Sequence, residues 1–185
     1  MTLSWPNHPI TLEEWEALPE DSAKKLEVAE GMLVMSPRPL IKHQLAGMRL
    51  GMLFGEQLPD DLVGVTDAEV LLTREPLTIR APDVIVTRSA LIDSDEARCL
   101  PSDVLLAVEI LSTGTRRVDR VLKFSEYAEA GIPQYWIVDL DEPTSLLAYV
   151  LAEGNYELSG EHTGKADLDV AGHRVEVDLP ALTRR

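Results

Sequence analysis

The chain has 185 residues, 45% of them hydrophobic and 26% charged, so it can bury one sizeable core and reads as a single soluble globular domain over residues 1–185. Its formal net charge of -15 disfavours loose electrostatic attachment to nucleic acid or to anionic membranes, yet leaves room for a local basic patch and for cations drawn to clustered carboxylates. One cysteine, Cys99, excludes an intrachain disulfide framework and a cysteine-rich zinc site.

The opening residues carry no basic region followed by an apolar segment, so no signal peptide is expected. No apolar run approaches the roughly 20 residues that span a bilayer, and a cytoplasmic location is the simplest expectation. A helical lead-in occupies residues 1–20, with a short helix from Leu12 to Leu18. Thr11 and Glu14 give it a capping-box start, and Pro19 stops it. Two extended pieces follow about the turn Glu30-Gly31. Strand alternation puts Leu26, Val28 and Glu30 on one face and Glu27 and Ala29 on the other. Glu27 is therefore either an inward carboxylate or a charge on a solvated face.

After Pro37 and Pro39, a helix is expected from Ile41 to Gln57, with Ile41, Leu45, Met48 and Met52 as its apolar stripe. The methionines suit core filling better than a binding surface. His43 lies in the first turn of this helix, from which it could point back toward the preceding loop. The segment GVTDAEVLL reads as one strand and, after a turn at TREP, LTIRAPDVIVTR as the next. In the latter, Asp83, Ile85 and Thr87 share a face opposite Val84 and Val86, and Pro82 interrupts or edges the ladder just before Asp83. The acidic stretch from Ser89 to Asp103 reads as a loop.

The run from Val104 to Leu111 suits a strand buried on both faces, and Glu109 sits inside it. A buried carboxylate costs several kcal/mol unless it is paired or protonated, so Glu109 needs either a partner or a partly exposed strand end. Ser112 to Thr115 supply capping hydroxyls for a helix from Arg116 to Ala130, which Gly131 and Pro133 terminate. Val118, Val121, Leu122, Phe124 and Ala128 are its expected buried side. Asp119 and Lys123 stand four apart on one face, where a surface ion pair contributes only about 0.3–0.5 kcal/mol. QYWIVDL is a strand, and LLAYVL and YELSG form an antiparallel hairpin. A last strand runs from Arg174 to Asp178, and residues 179–185 are expected to be a loose tail.

Familiar phosphate-binding glycine loops and serine nucleophile elbows are absent from the sequence, and the histidines at 8, 43, 162 and 173 are too scattered for a zinc site. The aromatic-basic alternation of single-strand binders is absent too. What remains is a constellation: Asp83 and Glu109, each in an apolar run, with Lys123 downstream. Two carboxylates brought together repel, and a hard divalent cation relieves that repulsion. Such a cation acidifies a bound water and polarises a phosphoryl oxygen, while a nearby ammonium stabilises developing charge.

The order LEVAEG, SPRP with His43, APDVIV, LAVEILS, Asp119, Lys123, Tyr127 and GIPQYWIVD resembles the Uma-type restriction endonuclease group of the PD-(D/E)XK, restriction-endonuclease-like superfamily. The likeness runs from Leu26 to the hairpin around Tyr156. It implies an α/β fold: a mixed central β-sheet of about four strands flanked by helices, with an added β-hairpin edge. Pro82-Asp83 resembles the superfamily's PD element and Glu109 its second acid. Leu111 occupies the place of the usual lysine, and the group's lysine from the following helix corresponds to Lys123. The resemblance further implies a Mg²⁺- or Mn²⁺-dependent endonuclease acting on nucleic acid, DNA ahead of RNA. Asp83, Glu109 and the Ile110 carbonyl would hold the metal. Glu27 would assist metal or water, and Lys123 would position water or stabilise charge. His43 and Asp119 match recurrent polar positions. Arg116, Arg117 and Arg120 are candidate phosphate contacts or solvated helix charges. A homodimer is the assembly a small nuclease cutting both strands would use. The rival reading is a nuclease-type fold without catalysis, kept as a binding module; a weaker one is action on another phosphate ester.

Overall fold

The computed structural model of the protein describes residues 7–18, 24–94, 96–112 and 121–184. Two sheets and a separate hairpin carry the chain. The N-terminal hairpin pairs β1 (Lys24–Ala29) with β2 (Met32–Pro37). β4 (Val70–Arg74) and β5 (Leu77–Arg80) complete a four-stranded antiparallel sheet in the order β2-β1-β5-β4. Helix α1 (Leu12–Glu16), started by the Thr11–Glu14 capping box, covers it. Trp15 and Ile10 pack there with Val28, Leu71, Leu77 and Ile79.

The larger sheet has six strands. It contains β3 (Leu62–Thr66), β6 (Val84–Arg88) and β7 (Val104–Ile110). β8 (Gln134–Asp139), β9 (Ser145–Ala152) and β10 (Asn155–Thr163) complete it, in the order β10-β9-β8-β7-β6-β3. Only the central pair β7 and β8 is parallel, and α3 (Lys123–Glu129) lies in the crossover that joins them. The sheet is therefore mixed, as expected: four central strands, β3, β6, β7 and β8, with the β9–β10 hairpin added at its edge.

Two segments read from sequence as single strands are each divided between the sheets. GVTDAEVLL breaks at Asp67, whose φ is 56°, into β3 and β4. LTIRAPDVIVTR breaks at Ala81-Pro82-Asp83 into β5 and β6. Pro82 has no N–H for a ladder and restricts the residue before it, so the chain leaves one sheet and enters the other there. The Asp67 N–H donates to the Asp83 carbonyl at 3.3 Å, tying the two crossings together.

Helix α2 (Ile41–Gln57) has the expected bounds and the opposite orientation. Its buried face is His43, Ala46, Gly47, Leu50 and Phe54, set against Val84, Val86, Val108, Ile110 and Trp136. Ile41 is 84% exposed and Met48 and Met52 are exposed, so most of the expected stripe faces solvent. Small residues let the helix lie close on the sheet: a Cβ on Gly64 of β3 would sit 3.0 Å from the Gly51 carbonyl oxygen. Ile41→Ser should therefore change the unfolding free energy in urea by no more than about 0.5 kcal/mol. A loss of several times that would place the stripe in the core.

Helix α3 keeps part of its expected buried side, Ala128 with Phe124 packed against the core, and departs from the rest. Lys123, Tyr127 and Ala128 are buried, whereas Val121 and Leu122 just before it are exposed. The expected start at Arg116, with Val118, lies outside the described residues. Near the C-terminus, β11 (Lys165–Val170) joins β12 (His173–Asp178) in a second hairpin, where sequence suggested one strand. Ala171 and Gly172, at φ 51° and 86°, make its two-residue turn. Residues expected to form a loose tail instead close as a 3₁₀ turn, Leu179–Leu182, with Leu179 and Leu182 buried beside the hairpin and α2. The expected loop from Ser89 to Asp103 contains two 3₁₀ turns, Ser89–Asp93 and Pro101–Asp103.

Candidate active site

The seam between the sheets collects the acidic residues singled out above. The β6–β7 ladder ends at the pair Val84 and Val108. One step beyond, the Asp83 carboxylate stands where a strand carbonyl would and accepts the Ile110 N–H through Oδ2 at 2.8 Å. His43, brought in from α2, places Nε2 3.1 Å from the same oxygen and 2.8 Å from the Ile110 carbonyl oxygen. Lys25 of β1 donates to Asp83 Oδ1 at 3.1 Å and pairs with Asp67 at 3.0 Å. Burial works to raise the Asp83 carboxyl, but the His43 bond and the Lys25 charge hold it far below the usual carboxylate range. Burial works to lower the Lys25 ammonium, and Asp83, then Glu109, keep it above its ordinary value. The His43 imidazole is raised: burial opposes this, and the Asp83 and Ile110 bonds overcome it.

Glu109 lies behind Asp83, 2% exposed on β7. Its Oε1 accepts from Lys123 Nζ at 2.9 Å and from the Tyr127 hydroxyl at 2.7 Å. Lys123, Glu126 and Tyr127 fall at i, i+3 and i+4, so one face of α3 presents all three to the sheets. Burial and the Glu109 charge push the Tyr127 phenol well above its ordinary range, which keeps it a donor.

Glu27, on the same face of β1 as Lys25, is the inward carboxylate. Its Oε1 lies 3.0 Å from Lys123 Nζ and accepts the Ala81 N–H at 3.1 Å. Its Oε2 accepts from Arg80 at 3.1 Å, and Arg80 closes a two-bond fork onto Glu126 with both bonds at 2.7 Å. Burial works to raise the Glu27 carboxyl, but Lys123 and Arg80 outweigh it and the group stays lowered. A carboxyl lowered on folding stabilises the protein above its ordinary pKa, near 4.5, and that contribution is lost as pH falls through the folded value. The stability gap between wild type and Glu27→Gln should therefore be full at neutral pH and shrink as pH drops below about 4.5. Denaturant titrations across that range would show it; a gap constant with pH would mean that Glu27 is not ionised in the fold.

A cleft of about 420 Å³ opens onto this seam, lined by Lys24, Lys25, Arg38, His43, Asp67 and Asp83 among others. Asp83 is the acidic site residue it reaches; Glu109, Glu27 and Lys123 lie deeper. In kind, the oxygens of Asp83, Glu109 and Ile110 fit a hard divalent cation. In the structure they meet the protein's own donors, and among the described residues no cluster of three or more His, Cys, Asp or Glu side chains is poised to hold a metal. Asp119, Arg116, Arg117 and Arg120 lie outside the described residues.

A family model described as "Uma2: Putative restriction endonuclease" matches residues 12–180. The chain belongs to the Uma2 family. A crystal structure titled as a putative nuclease belonging to DUF820, from Anabaena variabilis ATCC 29413, superposes with a TM-score of 0.72 at 18% identity, covering 95% of this chain and 98% of that one. That likeness shows the restriction-endonuclease-like fold. No curated protein matches the chain.

In this Uma2 chain, Asp83, Glu27, Glu109 and Lys123 converge, with the Ile110 backbone and His43 beside Asp83. Lys25 with its partner Asp67, Arg80 with its partner Glu126, and the Tyr127 hydroxyl as a Glu109 donor escaped the sequence reading. Lys25 stands two residues before Glu27, so strand alternation was the signal available for it. Among the described residues no helix is long and apolar enough to cross a membrane.

Proposed function

We propose that this protein is a Mg²⁺-dependent endonuclease, with Mn²⁺ as a substitute, that hydrolyses phosphodiester bonds of nucleic acid, DNA ahead of RNA. The observation that carries this reading is the meeting of Asp83, Glu109, Glu27 and Lys123 at one seam, reached by a cleft, in a member of a family described as a restriction endonuclease. Asp83 and Glu109 would hold the metal, together with the Ile110 carbonyl, whose oxygen lies 2.8 Å from His43 Nε2 in the structure. A cation held there would supply an acidified water and a polarised phosphoryl oxygen. Lys123 fixes the glutamate oxygens it touches, orients the attacking water through them, and keeps positive charge beside the phosphate as negative charge develops. Arg116, Arg117 and Arg120 enter this reading as phosphate contacts.

One observation favours a second reading, a nuclease fold retained for binding: Asp83 meets Lys25, His43 and a backbone N–H with no metal needed. Calorimetric titration with Mn²⁺ separates the two. The endonuclease reading expects saturable binding by wild type that Asp83→Ala abolishes. No binding, or equal binding by the variant, selects the binding module.

A further inference from the structure

Lys25 and Asp67 have no part in the reaction described above, yet they stand at its entrance. The site has two lysines in different settings. Lys123 is 6% exposed in its side chain, and its ammonium rests on Glu27 and Glu109. Lys25 is 15% exposed, lines the cleft, and bridges Asp83 and Asp67. Asp67 is open to solvent and holds a left-handed backbone at φ 56°, a conformation that Asp tolerates better than most residues. Its N–H bond to the Asp83 carbonyl fixes the spacing between the two aspartates.

A divalent cation entering by the cleft must compete for Asp83 Oδ1 with the Lys25 ammonium, since two cations on one carboxylate oxygen repel. The lysine stem is flexible, and its head moves several ångströms without disturbing the backbone. Asp67 remains as its partner at the cleft wall. Lys24 and Arg38 line the same cleft with Lys25, against Asp67 and Asp83, so cationic side chains outnumber carboxylates there within a chain of net charge -15. A phosphodiester is the ligand that such a wall attracts.

We infer that Lys25 is a displaceable counter-ion, which holds Asp83 until a divalent cation arrives and then turns on Asp67 to contact a phosphate of the substrate strand. The inference rests on the endonuclease reading and deepens it. The test uses the full chain as wild type, Lys25→Met, Lys25→Gln and Lys25→Arg, each checked by thermal unfolding. Mn²⁺ calorimetry comes first: the Met and Gln variants should bind Mn²⁺ on the order of tenfold more tightly than wild type. A mixed-sequence DNA duplex and RNA of the same sequence are then titrated with Ca²⁺ in place of Mg²⁺. On the preferred polymer, the slope of log affinity against log salt should become shallower in Met and Gln by about 0.9 for the DNA duplex or about 0.7 for single-stranded RNA, as for one lost phosphate contact. Lys25→Arg should restore it. Unchanged or weaker Mn²⁺ binding in Met and Gln, or an unchanged slope, overturns the role of Lys25 while wild-type binding leaves the endonuclease reading standing. Wild type that binds neither Mn²⁺ nor nucleic acid overturns both.

Discussion

Asp83→Asn should lower the rate of phosphodiester cleavage on the order of 10²–10³-fold or more, with the protein still folded. The amide keeps an oxygen for the Ile110 N–H, so the end of the β6–β7 ladder can persist. What it loses is the charge that faces Lys25 and His43 and opens on the cleft. A metal held by carboxylates needs that charge, and an amide oxygen is a far weaker partner for a hard cation. The measurement is kcat at saturating Mg²⁺, with circular dichroism and thermal unfolding run on the same preparation. Glu109→Gln should fall comparably in rate and also lose stability, because Lys123 and Tyr127 both donate to Glu109 Oε1 in the interior. Undiminished cleavage in either variant would move the chemistry away from this seam.

Arg80→Met should cost about 3–5 kcal/mol of stability, the range for removing one partner from a buried ionic set. Arg80 is 1% exposed and bridges Glu27 of β1 to Glu126 of α3, so its loss leaves two carboxylates facing an apolar side chain. Lys123 and the Ala81 N–H still serve Glu27, which limits the damage there. Much of the cost falls on Glu126, and the double variant Arg80→Met with Glu126→Gln should recover part of it. Urea unfolding of the single and double variants measures both terms. A single variant within about 0.5 kcal/mol of wild type would mean that this network does not hold α3 to the N-terminal sheet.

The acids of the site were legible because each breaks an apolar run. Asp83 follows Pro82 where a strand begins, and Glu109 interrupts VLLAVEI, so burial demanded a partner for both. The cations were less so. Lys25 belongs to a KK pair that looks like a solvated strand start, and Arg80 follows a β-branched residue in what reads as one long strand. Their roles depend on the crossing of the chain between two sheets at Asp67 and Pro82, which local alternation does not encode. Helix α2 shows the same limit from the other side. Its expected apolar residues trace a stripe at helical spacing, but the helix approaches the sheet through glycines, Gly51 against Thr66 and Gly64 of β3 and Gly47 against Val84 and Ile110. Ala46 and Gly47, with Leu50 and Phe54, therefore took the core and Met48 and Met52 the surface. In α3, Lys123 and Tyr127 are buried because Glu109 and Glu27 stand opposite, a pairing across long sequence separations that helix periodicity cannot report.

The most direct test of the account is strand cleavage by wild type and by Asp83→Ala, Glu109→Ala and Lys123→Ala, on matched DNA and RNA panels, with Mg²⁺, with Mn²⁺ and with chelator. Wild type should cleave only when a divalent cation is present, and all three variants should lose that cleavage. Cleavage that persists in the chelator or in the Asp83 and Glu109 variants, or none from a wild type that is folded and binds metal, would contradict it.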